Sequence, residues 1–159
     1  MPMRDKLYRF ALRMMSANSD AEDVVQEVLL KLWQQGEQLL QIQNLEAWSM
    51  RLTKNQCIDK LRARNHATKE WKEGYDLTDQ APLPDRKIES KDTMSYLRRC
   101  MESLPQQLKL ALQLRDIEGL SYQEIAEVLE VSLPQVKINI FRARQQMREL
   151  VLKNQTLNY

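Results

Sequence analysis

Three times in its second half the chain repeats one start signal for a helix. Ser103-Leu104-Pro105-Gln106, Ser121-Tyr122-Gln123-Glu124 and Ser132-Leu133-Pro134-Gln135 each set a serine ahead of an apolar-periodic run, with Gln or Glu three residues on. At that position the serine oxygen satisfies an orphan amide of the first turn, and the Gln or Glu reaches back to the serine's own amide. Proline in two of the three signals suits a first helical turn, where a missing N–H costs nothing. The segment after Ser121 is short and apolar, a brief turn follows at Glu130 and Val131, and the segment after Ser132 is long and basic. Two capped helices with a short turn between them, the second one basic, predict a helix-turn-helix that reads duplex DNA.

The last helix fixes which side chains would do the reading. Val136, Ile140, Ala143, Met147 and Leu150 step alternately by four and three, so they face a core. Gln135, Lys137, Ile138, Asn139, Phe141, Arg142 and Gln145 are left on outward or flanking faces. A helix entering the major groove shows its first turns to base edges and its flanks to phosphates. Gln135 and Asn139 can donate and accept at a base edge, Ile138 can meet a thymine methyl, and Lys137, Arg142 and Arg144 suit phosphate. Any basic amphipathic helix shares part of this pattern. The capped helix placed just before it is what favours DNA.

Residues 1–66 read as three helices. Leu7, Phe10, Ala11 and Met14 recur at helical spacing. Ser19-Asp20-Ala21-Glu22 reads as another capping box, followed by the apolar stripe Ala21, Val24, Val25, Val28, Leu29 and Leu32. That helix runs out near Gly36 into a Gln-rich loop from Glu37 to Asn44, and Asn44 can cap a third helix carrying Trp48, Leu52, Ile58 and Leu61 inward. Residues 67–91 lose the pattern: acids and bases mix, and Ala81-Pro82-Leu83-Pro84 cannot continue a helix, so the segment reads as a flexible linker in which Trp71 and Tyr75 are the only large aromatic residues. Residues 92–153 read as four helices, with a short tail at 154–159. The expectation is an all-α chain of two small helical domains.

Charge is unevenly spread although the net charge is only +2. Asp20, Glu22, Asp23 and Glu27 form an acidic helix. Arg51, Lys54, Lys60, Arg62 and Arg64 oppose only Asp59, and the last helix is basic again. Two basic stretches and one acidic helix suggest a polyanion met at two places and a basic protein surface at a third. Solvated helix faces would account for any one of these runs taken singly.

Several classes are excluded or disfavoured. With 3 Gly in 159 residues the Gly-rich loops that cradle nucleotide phosphates are absent. Cys57 and Cys100 lie in helical patterns and read as buried free thiols; together with His66, the single histidine, they fall short of the four ligands of a structural zinc site, and nothing points to a histidine-based catalytic triad. Glu22 and Asp23 adjoin in sequence but point apart on a helix, so they make no acid pair. The expectation is no enzyme, no metal and no cofactor. Arg4, Asp5, Lys6 and Arg9 interrupt any leader-like apolar run and no stretch reaches membrane-span length, so a cytoplasmic location without membrane insertion is expected.

Taken together, these segments resemble the extracytoplasmic-function (ECF) group of the sigma-70 family of bacterial RNA polymerase sigma factors. Asp20-Ala21-Glu22-Asp23-Val24-Val25-Gln26-Glu27-Val28 through Leu32-Trp33 resembles region 2.2. Asn44-Leu45-Glu46-Ala47-Trp48 through Lys54-Asn55 and Ile58-Asp59-Lys60-Leu61-Arg62 resemble regions 2.3 and 2.4. Leu104-Pro105, Glu118 to Ala126, and Val136-Lys137 through Arg142-Ala143-Arg144 resemble region 4. The resemblance implies that residues 1–66 are sigma region 2 and residues 92–153 region 4. It implies that Asp20, Asp23, Gln26 and Glu27 dock on the clamp helices of the polymerase β′ subunit. It implies that the Gln38 to Asn44 loop, Asn44, Asn55, Asp59, Lys60, Arg62 and Arg64 hold unstacked bases and backbone of the −10 element, so keeping the promoter melted. Gln135, Lys137, Ile138, Asn139, Arg142 and Arg144 would read the −35 element while the first region 4 helices meet the β flap. Core RNA polymerase, promoter DNA and an anti-sigma factor are the partners it implies.

The chain departs from that family's habit at Glu130, where Gly is common, at Leu133-Pro134-Gln135, and at Ile138, Asn139 and Phe141. Two other classes stay open on the residues alone: a free-standing helix-turn-helix regulator, which would need a sensory domain that residues 1–66 do not resemble, and an interaction module acting through the acidic helix.

Overall fold

A computed structural model describes residues 2–69 and 93–156, and every regular element among them is helical. Helix α1 spans Pro2–Met15 and buries Leu7, Phe10, Ala11 and Met14, the expected stripe. Helix α2 spans Asn18–Gln35 and buries Ala21, Val24, Val25, Val28 and Leu32, with Leu29 partly covered. Its start differs from expectation. Ser16 takes a left-handed conformation (φ 61°) and turns the corner from α1 so tightly that α2 begins before Ser19. Ala17 is the N-cap, with no side-chain bond, and its carbonyl accepts from Ala21 N at 3.1 Å. Gly36 (φ 56°) closes α2 as expected, a conformation that costs glycine little. The following segment is a 3-10 turn over Gly36–Gln41 where an irregular loop was expected.

Helix α3 spans Leu45–Lys69, three residues into the segment read as linker. Asn44 Oδ1 accepts from Ala47 N at 3.0 Å, the expected cap. Trp48, Leu52, Ile58 and Leu61 pack on the core but remain partly exposed. The fully buried positions are Ala47, Met50 and Cys57 with Ser49 and Thr53. Ser49 donates to Leu45 O at 2.7 Å and Thr53 to Ser49 O at 2.8 Å, so both hydroxyls are satisfied within their own helix. The reason for the extra burial is that α3 packs against α1, α2 and also a later helix, Tyr122–Leu129.

In the second group α4 spans Thr93–Glu102, α5 Gln106–Leu112, α6 Tyr122–Leu129 and α7 Leu133–Thr156. A π-helical turn over Gln113–Ile117 continues α5. The three serine signals fare differently. Ser121 makes a complete capping box: Glu124 N donates to Ser121 Oγ at 3.1 Å, and Ser121 N donates to Glu124 Oε1 at 3.0 Å. Such a cap stabilises a helix by about 1 kcal/mol. Ser132 Oγ accepts from Gln135 N at 3.3 Å, but the Gln135 amide turns to Asn139 and the reciprocal bond is not made. Ser103 caps nothing. Pro105 is the N-cap of α5, two residues later than the sequence suggested, and Ser103 Oγ donates instead to Cys100 O at 2.6 Å, closing α4.

The largest core runs through both groups. Residues of α1, α2 and α3 share one cluster with Leu110, Ala111, Leu114, Leu120, Ile125, Val128, Val136 and Ile140. A smaller cluster joins Met101, Leu104, Leu108, Leu112 and Ala143, with Met147 and Leu150 packed on it. The two helical groups therefore meet over an apolar interface that period-counting within each group did not reveal. Residues 70–91 of the expected linker, including Trp71 and Tyr75, and residues 157–159 of the tail lie outside the described residues.

Candidate nucleic-acid interface

The first half of α7 presents a mixed basic and apolar surface. Lys137, Ile138, Phe141 and Arg142 are all exposed, Phe141 at 69%. The turn before α7 is made by Glu130 itself, in the left-handed region (φ 57°, ψ 44°). Gln135 is half-buried. Asn139, expected on an outward or flanking face, is 3% exposed, and its Oδ1 accepts from Gln135 Nε2 at 2.8 Å. It lies next to Val136 and Ile140 on the packed face, so its amide is turned away from any groove-facing surface. Arg144 makes a two-bond contact to Asp116 in the π turn, at 2.7 and 3.3 Å, which raises its already high pKa and braces α7 against the preceding segment.

The basic and acidic stretches of the first group face each other. Arg64 Nη2 lies 2.5 Å from Asp20 Oδ2, and Lys60 Nζ lies 3.4 Å from Glu27 Oε1. Gln56 of α3 bridges two residues of α2, donating to Glu27 and accepting from Lys31 at 2.9 Å. The Arg64 bond holds the Asp20 carboxyl below its ordinary value. Asp59 and Arg62 remain exposed. On α2 the exposed residues Asp23, Gln26, Leu30 and Trp33 follow a three-four-three spacing and share one face. Trp33 is 83% exposed and Leu40, in the adjoining 3-10 turn, 87%. Large apolar side chains left in water beside acidic groups are characteristic of a protein-docking surface.

Lys54 corrects the sequence reading most clearly. It belongs to the basic stretch expected to meet a polyanion, yet only 6% of it is exposed, because α6 covers that face. Carboxylates from the second group reach the first at several points. Arg9 donates two bonds to Glu118, at 2.8 and 2.9 Å, and the Glu118 side chain is wholly buried. Arg13 pairs with Glu102. Asn44 Nδ2 donates to Glu124 Oε2 at 2.8 Å, and Arg51 Nε to Glu130 Oε1 at 2.5 Å. The roles of Glu118, Glu124 and Glu130 in joining the groups were not read from the sequence; the unusual turn residue at 130 was the one available signal.

These pairs predict a defined acid response. The Ser121 amide and the Asn44 amide hold Glu124 below its ordinary 4.5, and Arg51 and Lys54 do the same for Glu130. A carboxyl depressed in the folded state stabilises the fold fully above its unfolded pKa and progressively less as pH falls through the folded value. The urea midpoint should therefore hold steady from about pH 7 to about pH 5 and fall below about pH 4.5. A midpoint unchanged down to about pH 3 would show that these contacts contribute nothing to folding.

Among the described residues no cluster of three His, Cys, Asp or Glu side chains is placed to hold a metal ion, and no helix is long and apolar enough to cross a membrane. Cys57 and Cys100 are buried free thiols as expected, and burial pushes the Cys57 thiol up to about 12, far from nucleophilic at neutral pH.

Two sigma-70 family matches account for most of the chain: sigma-70 region 2 over residues 2–67 and sigma-70 region 4 over residues 94–147. Among curated relatives the chain is similar to the ECF RNA polymerase sigma factor SigE of Mycolicibacterium smegmatis, 35% identical over 152 residues that cover 94% of this chain. The match spans 59% of the length of that relative. It is also similar to the ECF RNA polymerase sigma-E factor of Haemophilus influenzae, 28% identical over 93% of this chain and 82% of the relative. In fold it resembles the sigma factor RpoE in its complex with the anti-sigma factor NepR from Bartonella quintana, with a TM-score of 0.72 at 23% identity, covering 94% of this chain and 92% of that one.

Proposed function

The chain belongs to the sigma-70 family, as a member of its ECF group, and on that premise we propose that it is a promoter-specificity subunit that binds core RNA polymerase and directs initiation. The observation that carries this reading is the presence of both family regions, in order, on one chain. In this reading the protein itself catalyses no covalent step.

Four surfaces divide the work. The α2 face with Asp20, Asp23, Gln26 and Glu27, extended by exposed Leu30 and Trp33, docks on the β′ clamp helices, where carboxylates meet basic groups and the apolar side chains leave water. The first helices of the second group meet the β flap. The α7 surface with Lys137, Ile138 and Arg142 enters the major groove of the −35 element, with Gln135 at its start and Arg144 at its flank. Asn139 is dropped from this set because its amide is buried. Asn44, Asn55, Asp59, Lys60, Arg62 and Arg64 engage the −10 element as it opens. Extruding a base costs a few kcal/mol per step, so a surface that captures it favours the melted state. Residues 1–66 and 92–153 act as separate functional units across the 67–91 segment. The structural likeness to a sigma factor held by NepR supports an anti-sigma partner here too, and a cytoplasmic setting follows from the function.

The test is run-off transcription from a pool of genomic fragments with core polymerase and this chain. Sequenced start sites should share two upstream motifs at fixed spacing. Start sites without a common motif would remove the specificity role.

A further inference from the structure

Glu130 occupies a place where its backbone gains nothing. A left-handed residue at a helix end suits glycine, whereas a side chain there meets steric opposition. What Glu130 contributes is its carboxylate. Oε1 accepts from Arg51 Nε at 2.5 Å and from Asn55 Nδ2 at 3.5 Å, and Oε2 lies 3.7 Å from Lys54 Nζ. Arg51, Lys54 and Asn55 stand three and four residues apart on one face of α3, so their donors converge. Lys54 is buried, which is costly for an ammonium without an anion beside it, and desolvation lowers its pKa while Glu130 counteracts that effect. Three converging donors, one of them a buried cation, make a site for a small anionic oxygen group, and in this structure the group is a carboxylate supplied by the chain itself.

We infer that Arg51, Lys54 and Asn55 form a backbone-phosphate site for single-stranded DNA, and that Glu130 fills it in the free chain as an internal competitor. A phosphate offers the same oxygen geometry as the carboxylate. A second contact has the same character: the Asn44 amide, on the same proposed nucleic-acid face, is engaged by Glu124 at 2.8 Å. The acids at the two ends of α6 thus lie on α3 where a strand would run, and α6 must move off α3 before the strand can enter. This rests on the reading of α3 as a nucleic-acid face, and it adds a specific anion site and the group that blocks it.

The experiment measures binding of a short fluorescent single-stranded DNA of mixed sequence to the full-length chain without polymerase. Glu130→Gly keeps the turn and removes the competitor, and Glu130→Gln removes the charge while keeping the shape. Both should bind about tenfold more tightly than the wild type, and the salt dependence should steepen by about 1.4 in log–log slope as two cations become available. Arg51→Ala in the Glu130→Gly background should abolish most of the gain. Unchanged affinity and slope in both single variants would overturn the inference, as would a gain that survives Arg51→Ala, since that would be general loss of negative charge. A gain confined to duplex DNA would also overturn it. Helicity of each variant, checked by circular dichroism, separates loss of the site from loss of the fold. Run-off transcription by the wild-type chain with core polymerase is measured alongside. Transcripts present with no gain in the variants sink only this inference, and transcripts absent from the wild type sink the function reading.

Discussion

Replacing Lys137 and Arg142 together with alanine should lower promoter-dependent initiation by about tenfold to a hundredfold while leaving association with core polymerase intact. Both side chains are exposed on the first half of α7, away from the core face marked by Val136, Ile140 and Ala143. Surface substitutions of this kind change stability by no more than about 0.5 kcal/mol, so the loss reports binding and not unfolding. Two lost phosphate contacts should also flatten the salt dependence of duplex binding by about 1.8 in log–log slope. Transcription preserved in the double variant would mean that α7 does not read the promoter, and the interaction-module alternative would gain.

Arg9→Ala should destabilise the fold by about 3 kcal/mol, a large part of the roughly 5–15 kcal/mol available to a protein of this kind. Glu118 is the reason. Its side chain is fully buried and Arg9 supplies its two hydrogen bonds, so removing the guanidinium strands an anion in the interface between the two helical groups. The half-exposed Arg9 sets the expectation at the lower end of the range for broken buried pairs. Replacing both residues with methionine should recover most of the loss, because the cost lies in the unpaired charge. Urea unfolding of the single and double variants measures both. A cost below about 1 kcal/mol for Arg9→Ala would show that Glu118 does not depend on it.

The helices of this chain were legible because their signals are local. The stripes of α1 and α2, the Gly36 stop, the Asn44 cap and the Ser121 box all follow from spacing and capping chemistry within a few residues. Errors arose where a local signal had a competitor. Ser16 took the corner and displaced Ser19 as the start of α2, and Ser103 bonded back to Cys100 when Pro105 became the cap. Long-range contact was not legible at all. Nothing near Lys54 in sequence marks it as buried, since the residues that cover it lie on α6, and Asn139 sits at a helical position that burial on two sides claims for the interior. The acidic and basic runs were read as surfaces for outside partners of opposite charge, and the same complementarity lets Asp20 and Glu27 pair with Arg64 and Lys60 within the chain. The family matches place residues 2–67 and 94–147 in the sigma-70 family, whereas the role proposed for each side chain at the surface rests on its exposure and charge.

Run-off transcription with three mixtures tests the central claim most directly: core polymerase alone, the chain alone, and the two combined, each on a library of linear genomic fragments. Discrete transcripts should come only from the combined mixture, with start sites downstream of a shared pair of sequence blocks. If the combined mixture gives the same products as core polymerase alone, the chain is not a promoter-specificity subunit.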